Sequence, residues 1–297
     1  MPRFVIPASF VVLWSTGFLG ARLGLPFCEP LHLLALRFAI VAALLLAAAL
    51  VTRTPWPPIQ SFGWIALVGL LLHGICLGGY FTAMNTALPL GLVALIGSLQ
   101  PVLTAIASRV FFREQLRPRQ WIGIALGVAG VALVASGKFG GGSVQTFGLT
   151  ACVIGVLGIT AGTLLQKRTG GGADFRPVAV IQYTVAALAV GLVSFATEAR
   201  PVVWTGQFIF ALSWLVIVNS IVSIALLFVM VRRSSVSQVS SLFYLTPSVT
   251  AVFAFLLFHE PLNPLMIAGI ATSGLGVYLT VNSASPGATI DVAPEEV

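Results

Sequence analysis

Few side chains in this sequence can do chemistry, and most of them stand at the edges of apolar runs. The acids are Glu29, Glu114, Asp174, Glu198, Glu260, Asp291, Glu295 and Glu296, and none falls deep inside a run. Ion-coupled carriers commonly bury a carboxylate for the coupling ion. Here only His73, which titrates near neutrality, offers an alternative proton carrier. The one cation well inside an apolar run is Arg37, about six residues in. Its guanidinium can fork onto a carboxylate. From that depth it can also snorkel back to the surface. Glu114 and Glu260, at run ends, are expected to cap the next helix or to neutralise a neighbouring cation.

The remaining candidates are neutral. His73 and Asn219 lie near the middle of two runs, and Gln100 and Thr246 each precede a proline, Pro101 and Pro247. A proline within a helix frees a carbonyl and kinks the rod, so these two positions suit bends beside a cavity or bends for packing alone. Trp14, Tyr80 (in Gly78-Gly79-Tyr80-Phe81) and Tyr244 offer rings that could meet an apolar ligand. The plainer alternative is that such polar residues hydrogen-bond neighbouring helices and such rings pack against lipid.

Other chemistries find no support. Gly137-Lys138-Phe139-Gly140-Gly141-Gly142 lacks the phosphate-loop spacing and reads as a loop, and no HExxH or GxSxG occurs. The cysteines Cys28, Cys76 and Cys152 form no CxxC pair, so no metal site, cofactor or disulfide framework is expected. The net charge is +7, but the basic residues form no run and no aromatic-interleaved patch, so nucleic acid is not an expected partner.

The elements that must position these residues follow from composition. The chain is 58% hydrophobic and 8% charged, against about 25% charged in a soluble domain. So little charge cannot cover a water-soluble body, and the matching solvent is a lipid bilayer. Ten runs have the length and character of membrane helices: 4–20, 31–51, 63–87, 91–111, 120–136, 147–166, 177–197, 208–230, 237–257 and 264–282. Arg3 before the first run imitates a signal peptide, but no small-residue cleavage site follows, and a first span is expected. With the N-terminus cytoplasmic, eleven basic residues fall inside and three, Arg22, Lys138 and Arg200, outside. That bias predicts both termini on the cytoplasmic side.

The sequence repeats. Shifted by 146 residues, the stretch from Pro101 to Ser136 lies without gaps on that from Pro247 to Asn282, with 13 of 36 positions identical. Thr104 meets Thr250, Glu114 meets Glu260, Pro118 meets Pro264, Gly123 meets Gly269 and Gly130 meets Gly276. Each half, 1–140 and 141–283, holds five runs, leaving 284–297 as a cytoplasmic tail. An odd number of spans per half turns the second half upside down. Inverted repeats of this kind build transporters, with substrate bound near the midplane where the halves meet. The same shift pairs His73 with Asn219 and Gln100 with Thr246, and sets Arg37 opposite Gln182 or Tyr183.

Ten spans, five plus five, each half closing with P-x-x-T-A, F-x-E-x-L-x-P and G-I-A, resemble the drug/metabolite transporter superfamily and its EamA-type permeases. Trp14-Ser15 and Leu36-Arg37-Phe38 add to the resemblance, which covers residues 4–283. Among members of that superfamily the chain is similar to the YddG-type exporters of aromatic amino acids. The resemblance implies an all-α exporter of amino acids and similar metabolites in the bacterial inner membrane, working by alternating access. The expected site is Trp14, Arg37, His73, Tyr80, Gln100, Asn219, Tyr244 and Thr246, with a small-molecule substrate and the bilayer as partners and a monomer favoured. First-span glutamate chemistry, which the small multidrug branch is expected to use, has no counterpart here. The rival readings are a drug or nucleotide-sugar carrier of the same superfamily, whose anionic cargo would favour several buried cations, and a membrane-embedded protein that does not transport.

Overall fold

A computed structural model describes residues 5–86, 88–112, 116–136, 143–169, 174–226, 230, 245–260 and 264–282. Among them the chain is helical and contains no strand. Tyr244, Glu114, the loop around Phe139 and the tail 284–297 lie outside the described residues. The helices are α1 (Val5–Gly24), α2 (Pro30–Val51), α3 (Phe62–Gly69), α4 (Cys76–Met84), α5 (Leu90–Gly97), α6 (Gln100–Phe112), α7 (Pro118–Ser136), α8 (Ser143–Thr169), α9 (Phe175–Thr197), α10 (Gly206–Trp214), α11 (Thr246–Phe258) and α12 (Pro264–Asn282). Among the described residues seven stretches are long and apolar enough to cross a bilayer, and the apolar helices Thr246–Phe258 and Pro264–Leu279 are shorter. The expected run 91–111 is interrupted: α5 stops at Gly97, Ser98 and Leu99 form a turn, and α6 restarts with Pro101 in its first turn. A proline is tolerated there because that position's N–H has no helical acceptor. Pro247 likewise occupies the first turn of α11.

α3 and α4 are joined by a π-helical turn, Leu70–Ile75, and α10 runs into a second, Leu215–Val222. The 146-residue shift carries the first onto 216–221, inside the second. A π turn inside an α-helix is uncommon and recurs at functional positions. Its presence at one depth in both halves marks these two rods.

Packing between the halves is reciprocal. α2 lies against α9, its equivalent under the shift, and α7 against α12. At one end of the first pair Arg176 donates to Thr52 Oγ1 (2.7 Å) and Thr54 Oγ1 (3.2 Å). At the other end Glu198 accepts from the amides of Leu31 (2.9 Å) and His32 (2.7 Å). The start of α9 therefore meets the end of α2, and the two run antiparallel. In the second pair a Cβ on Gly130 would come within 2.6 Å of the Gly269 carbonyl oxygen, and one on Gly276 would strike Gly123 and Gly127. These are mirror-image contacts under the shift, and again antiparallel. Bare backbone lets the helices approach closely where lipid supplies no hydrophobic force between them. Equivalent helices thus point in opposite directions, as an inverted repeat requires.

Each half also reaches into the other. The π turn of the first half packs on α8 and α9, and that of the second on α1 and α2. Gly69, just before the first π turn, leaves no room for a side chain against Gln182. The outward face of α9 carries Leu188, Leu192 and Phe195, exposed by 69%, 71% and 89%. Spaced about four apart, they form one stripe of a helix that offers hydrocarbon to lipid and keeps Tyr183, Ala186 and Val190 inside.

Candidate functional site

The inward faces of α2 and α9 and the two π turns meet in a polar cluster. Arg37 on α2 is 4% exposed. Its burial excludes the snorkelling alternative. Nε donates to Ser220 Oγ (3.0 Å) and Nη2 to Asn219 Oδ1 (2.9 Å), both on the second π turn. Asn219 in turn donates from Nδ2 to the Trp14 carbonyl oxygen on α1 (3.2 Å), which fixes the amide so that its oxygen faces the guanidinium. Gly17 makes space for this: a Cβ there would come 2.5 Å from Asn219 Nδ2. The guanidinium is therefore held by neutral groups of the opposite half.

Across the pseudo-symmetry lies the matching contact. Tyr183 on α9 stacks on His73 of the first π turn, with ring centroids 4.1 Å apart and planes 19° from parallel. Phe38 tilts against both, 5.9 Å from His73 and 5.7 Å from Tyr183. Gln182 lies beside His73, and Ser220 beside Tyr183. The shift sends Arg37 to Tyr183 and Asn219 back to His73. The two inter-half contacts are thus the same contact made twice, once as a charge-assisted hydrogen bond and once as an aromatic stack. Together they gather a cation and an aromatic stack in one buried cluster between the halves.

Of the expected site residues, the structure brings Arg37, His73 and Asn219 together, with Trp14 joining through its carbonyl. The Trp14 ring instead leans on Phe10, 5.4 Å away. Tyr80 is buried against Phe18 (6.3 Å), with Gly97 and Gly155 close to its ring. Among the described residues its hydroxyl meets no oxygen or nitrogen partner, and the Cys76 thiol lies nearby. Gln100 Nε2 donates to Thr163 Oγ1 on α8 (3.0 Å), a link between helices. The Thr246 hydroxyl is buried without a partner among the described residues, while its carbonyl accepts from Ser15 Oγ (3.5 Å). Tyr80, Gln100 and Thr246 therefore make their contacts away from the cluster. Glu260 caps α5 of the other half, accepting from the Leu90 amide at 3.1 Å. Tyr183, Ser220, Gln182 and Phe38 are cluster members that composition alone does not single out. The signal for Tyr183 is the repeat applied to Arg37.

The EamA-like transporter family matches the chain twice, over residues 6–136 and 146–282. An uncharacterized transporter of Bacillus subtilis, YvbV, is 27% identical over 89% of this chain and 86% of its own length. The uncharacterized inner membrane transporter YedA of Escherichia coli is 26% identical over 94% and 92%. A protein of the same organism described as a probable amino-acid metabolite efflux pump is 26% identical over 93% and 94%. One solved crystal structure shares the fold with a TM-score of 0.65 at 22% identity, covering 94% of this chain and 96% of its own.

Proposed function

The chain belongs to the EamA-like transporter family, and from that premise we propose that it exports amino acids, aromatic ones included, and similar small metabolites across a bacterial inner membrane. The observation that carries this reading is the buried Arg37, held between the halves by Ser220 and Asn219 and set beside the His73–Tyr183 stack. A guanidinium suits a carboxylate and the rings suit an apolar side chain. One cation at depth fits a single small acid better than a nucleotide sugar. The efflux pump of E. coli, similar along nearly its whole length, supports export as the direction.

The proposed architecture is ten spans in two inverted halves, 1–140 and 141–283, with both termini cytoplasmic and the protein acting as a monomer. Each half holds one side of the site, so rocking one against the other would open it to either face in turn. The carboxylates Glu29, Asp174, Glu198 and Glu260 all accept main-chain hydrogen bonds at helix ends. Among the described residues no acid is thus assigned to a coupling ion, and the proposed transport runs down the substrate gradient. Proteoliposomes holding the purified chain should exchange labelled phenylalanine or leucine with neither a pH nor a sodium gradient. Exchange that appears only under an imposed ion gradient would refute facilitated diffusion, and no exchange of any amino acid would refute the reading itself.

A further inference from the structure

The cluster is unbalanced in charge. Arg37 is almost fully buried and carries one positive charge, yet its partners, Ser220 and Asn219, are neutral. Its Nη1 has no acceptor among the described residues. The described carboxylates are occupied elsewhere: Glu29 with the Arg200 amide, Asp174 with Arg176, Glu198 with the start of α2, Glu260 with the start of α5. A buried charge without a counter-ion is costly in a membrane protein. The outer edge of the guanidinium, both hydrogens of Nη1 and the second hydrogen of Nη2, is the fork a carboxylate grips. An ammonium meets the opposite situation. No described carboxylate faces the cluster, and a cation placed there would face another cation.

Resting on the exporter reading above, we propose that the inter-half site recognises monocarboxylates with an apolar body, that Arg37 binds the carboxylate, and that the ammonium of an amino acid is dispensable. The deaminated acids then belong to the same substrate class as the amino acids. The His73–Tyr183 stack, with Phe38 against it, receives the apolar body. A zwitterion binds through its carboxylate, and its ammonium gains only the weaker attraction of ring faces and hydroxyls.

Matched probes separate the two ends of the substrate. Phenylalanine, 3-phenylpropionate and 2-phenylethylamine share a ring and differ in which charged group remains. Leucine, 4-methylpentanoate and 3-methylbutylamine do the same for a branched chain. The purified full-length protein is assayed in liposomes for exchange, against protein-free liposomes, and in detergent for ligand-induced thermal stabilisation. The acids should inhibit amino-acid exchange at concentrations equal to or below those of the unlabelled amino acids, and should raise the melting midpoint. The amines should do neither at roughly tenfold higher concentration. Arg37→Gln should weaken acid binding by about tenfold or more, with Arg37→Lys intermediate. The wild-type comparison stands even where a variant fails to fold. Amines that compete as well as acids overturn the inference. Amino acids that exchange while the acids neither bind nor inhibit also overturn it, and leave the exporter reading intact. Acids that exchange where no amino acid does uphold the inference and sink the amino-acid reading.

Discussion

The contact between Arg37 and Asn219 and the contact between Tyr183 and His73 occupy equivalent places in a duplicated scaffold, yet they are chemically unlike. Each joins the second span of one half to a π turn of the other. One is a hydrogen bond from a buried cation to an amide, and the other is a face-to-face stack of two rings. A perfectly symmetric pair would offer a solute two identical ends. A small acid has one charged end and one apolar end, so a site that must orient it gains from divergence at these two positions while the backbone geometry that moves them stays matched. The reciprocal seams, α2 on α9 and α7 on α12, retain the symmetry that the site has lost.

The most complete test of the matched scaffold is all-or-none. Arg53 lies with the Thr52–Arg176 end of the α2–α9 pair, and Val203, whose amide bonds the Phe27 carbonyl, lies with the Glu198 end. Single cysteines at these two positions should label from opposite sides. An impermeant reagent outside intact cells should modify 203 and spare 53. The native thiols add little background. All three are buried, and burial, aided by Glu198, pushes the Cys28 pKa up to about 12, which leaves it unreactive as a nucleophile. Labelling of both positions from one side would break the inverted scaffold.

Within the site the two contacts should fail unequally. Asn219→Ala removes the acceptor of Arg37 Nη2 and leaves a buried donor unsatisfied, which costs about 1–3 kcal/mol. Exchange should fall by roughly tenfold or more. His73→Leu keeps apolar volume but removes the stack with Tyr183, worth about 0.5–1.5 kcal/mol. Exchange should fall only severalfold, and more for aromatic than for branched substrates. Both variants should reach the membrane at wild-type levels. Equal losses, or a larger loss at His73, would mean that the polar and aromatic contacts do not divide the labour as argued. Normal transport by both would return these residues to helix-to-helix bonding alone.

Much of this was readable before any coordinates. Helical class followed from composition, because apolar runs of this length have one good solvent. The repeat followed from ordered Pro, Glu and Gly identities that composition cannot mimic. Arg37, His73 and Asn219 could be singled out as polar residues at depth. The shift also set Arg37 opposite Tyr183, but whether two equivalent residues touch each other or touch across to the other half depends on where the pseudo-axis runs. Tyr80, Gln100 and Thr246 lie on helices whose rotation the apolar pattern leaves open, since lipid and core are both apolar. Periodicity cannot say which face looks inward. The π turns are hidden for a similar reason: their sequences, Leu70–Ile75 and Leu215–Val222, read as ordinary helix.

The smallest effects belong to the helix-end carboxylates, and they sharpen the comparison at the periphery. Glu198 binds two amides at the start of α2 and also accepts from Ser194 Oγ at 2.9 Å. Glu260 accepts from the Leu90 amide at the start of α5. It is aimed there by His259, whose φ of 54° is left-handed, as the Glu260 amide bonds back to the Ala254 carbonyl. That closure of a helix end normally falls to glycine, so the histidine holds it against strain of order 1 kcal/mol. A carboxylate at a helix start contributes roughly 0.3–1 kcal/mol. Glu260→Gln should therefore lower the melting midpoint in detergent by only about 2 °C. Glu198→Gln, with more hydrogen bonds at stake, should lower it more. His259→Gly should leave the midpoint unchanged or raise it, because it relieves strain without touching the carboxylate. A Glu260→Gln loss as large as that of Glu198→Gln would show that Glu260 carries more of the fold than its hold on the Leu90 amide accounts for.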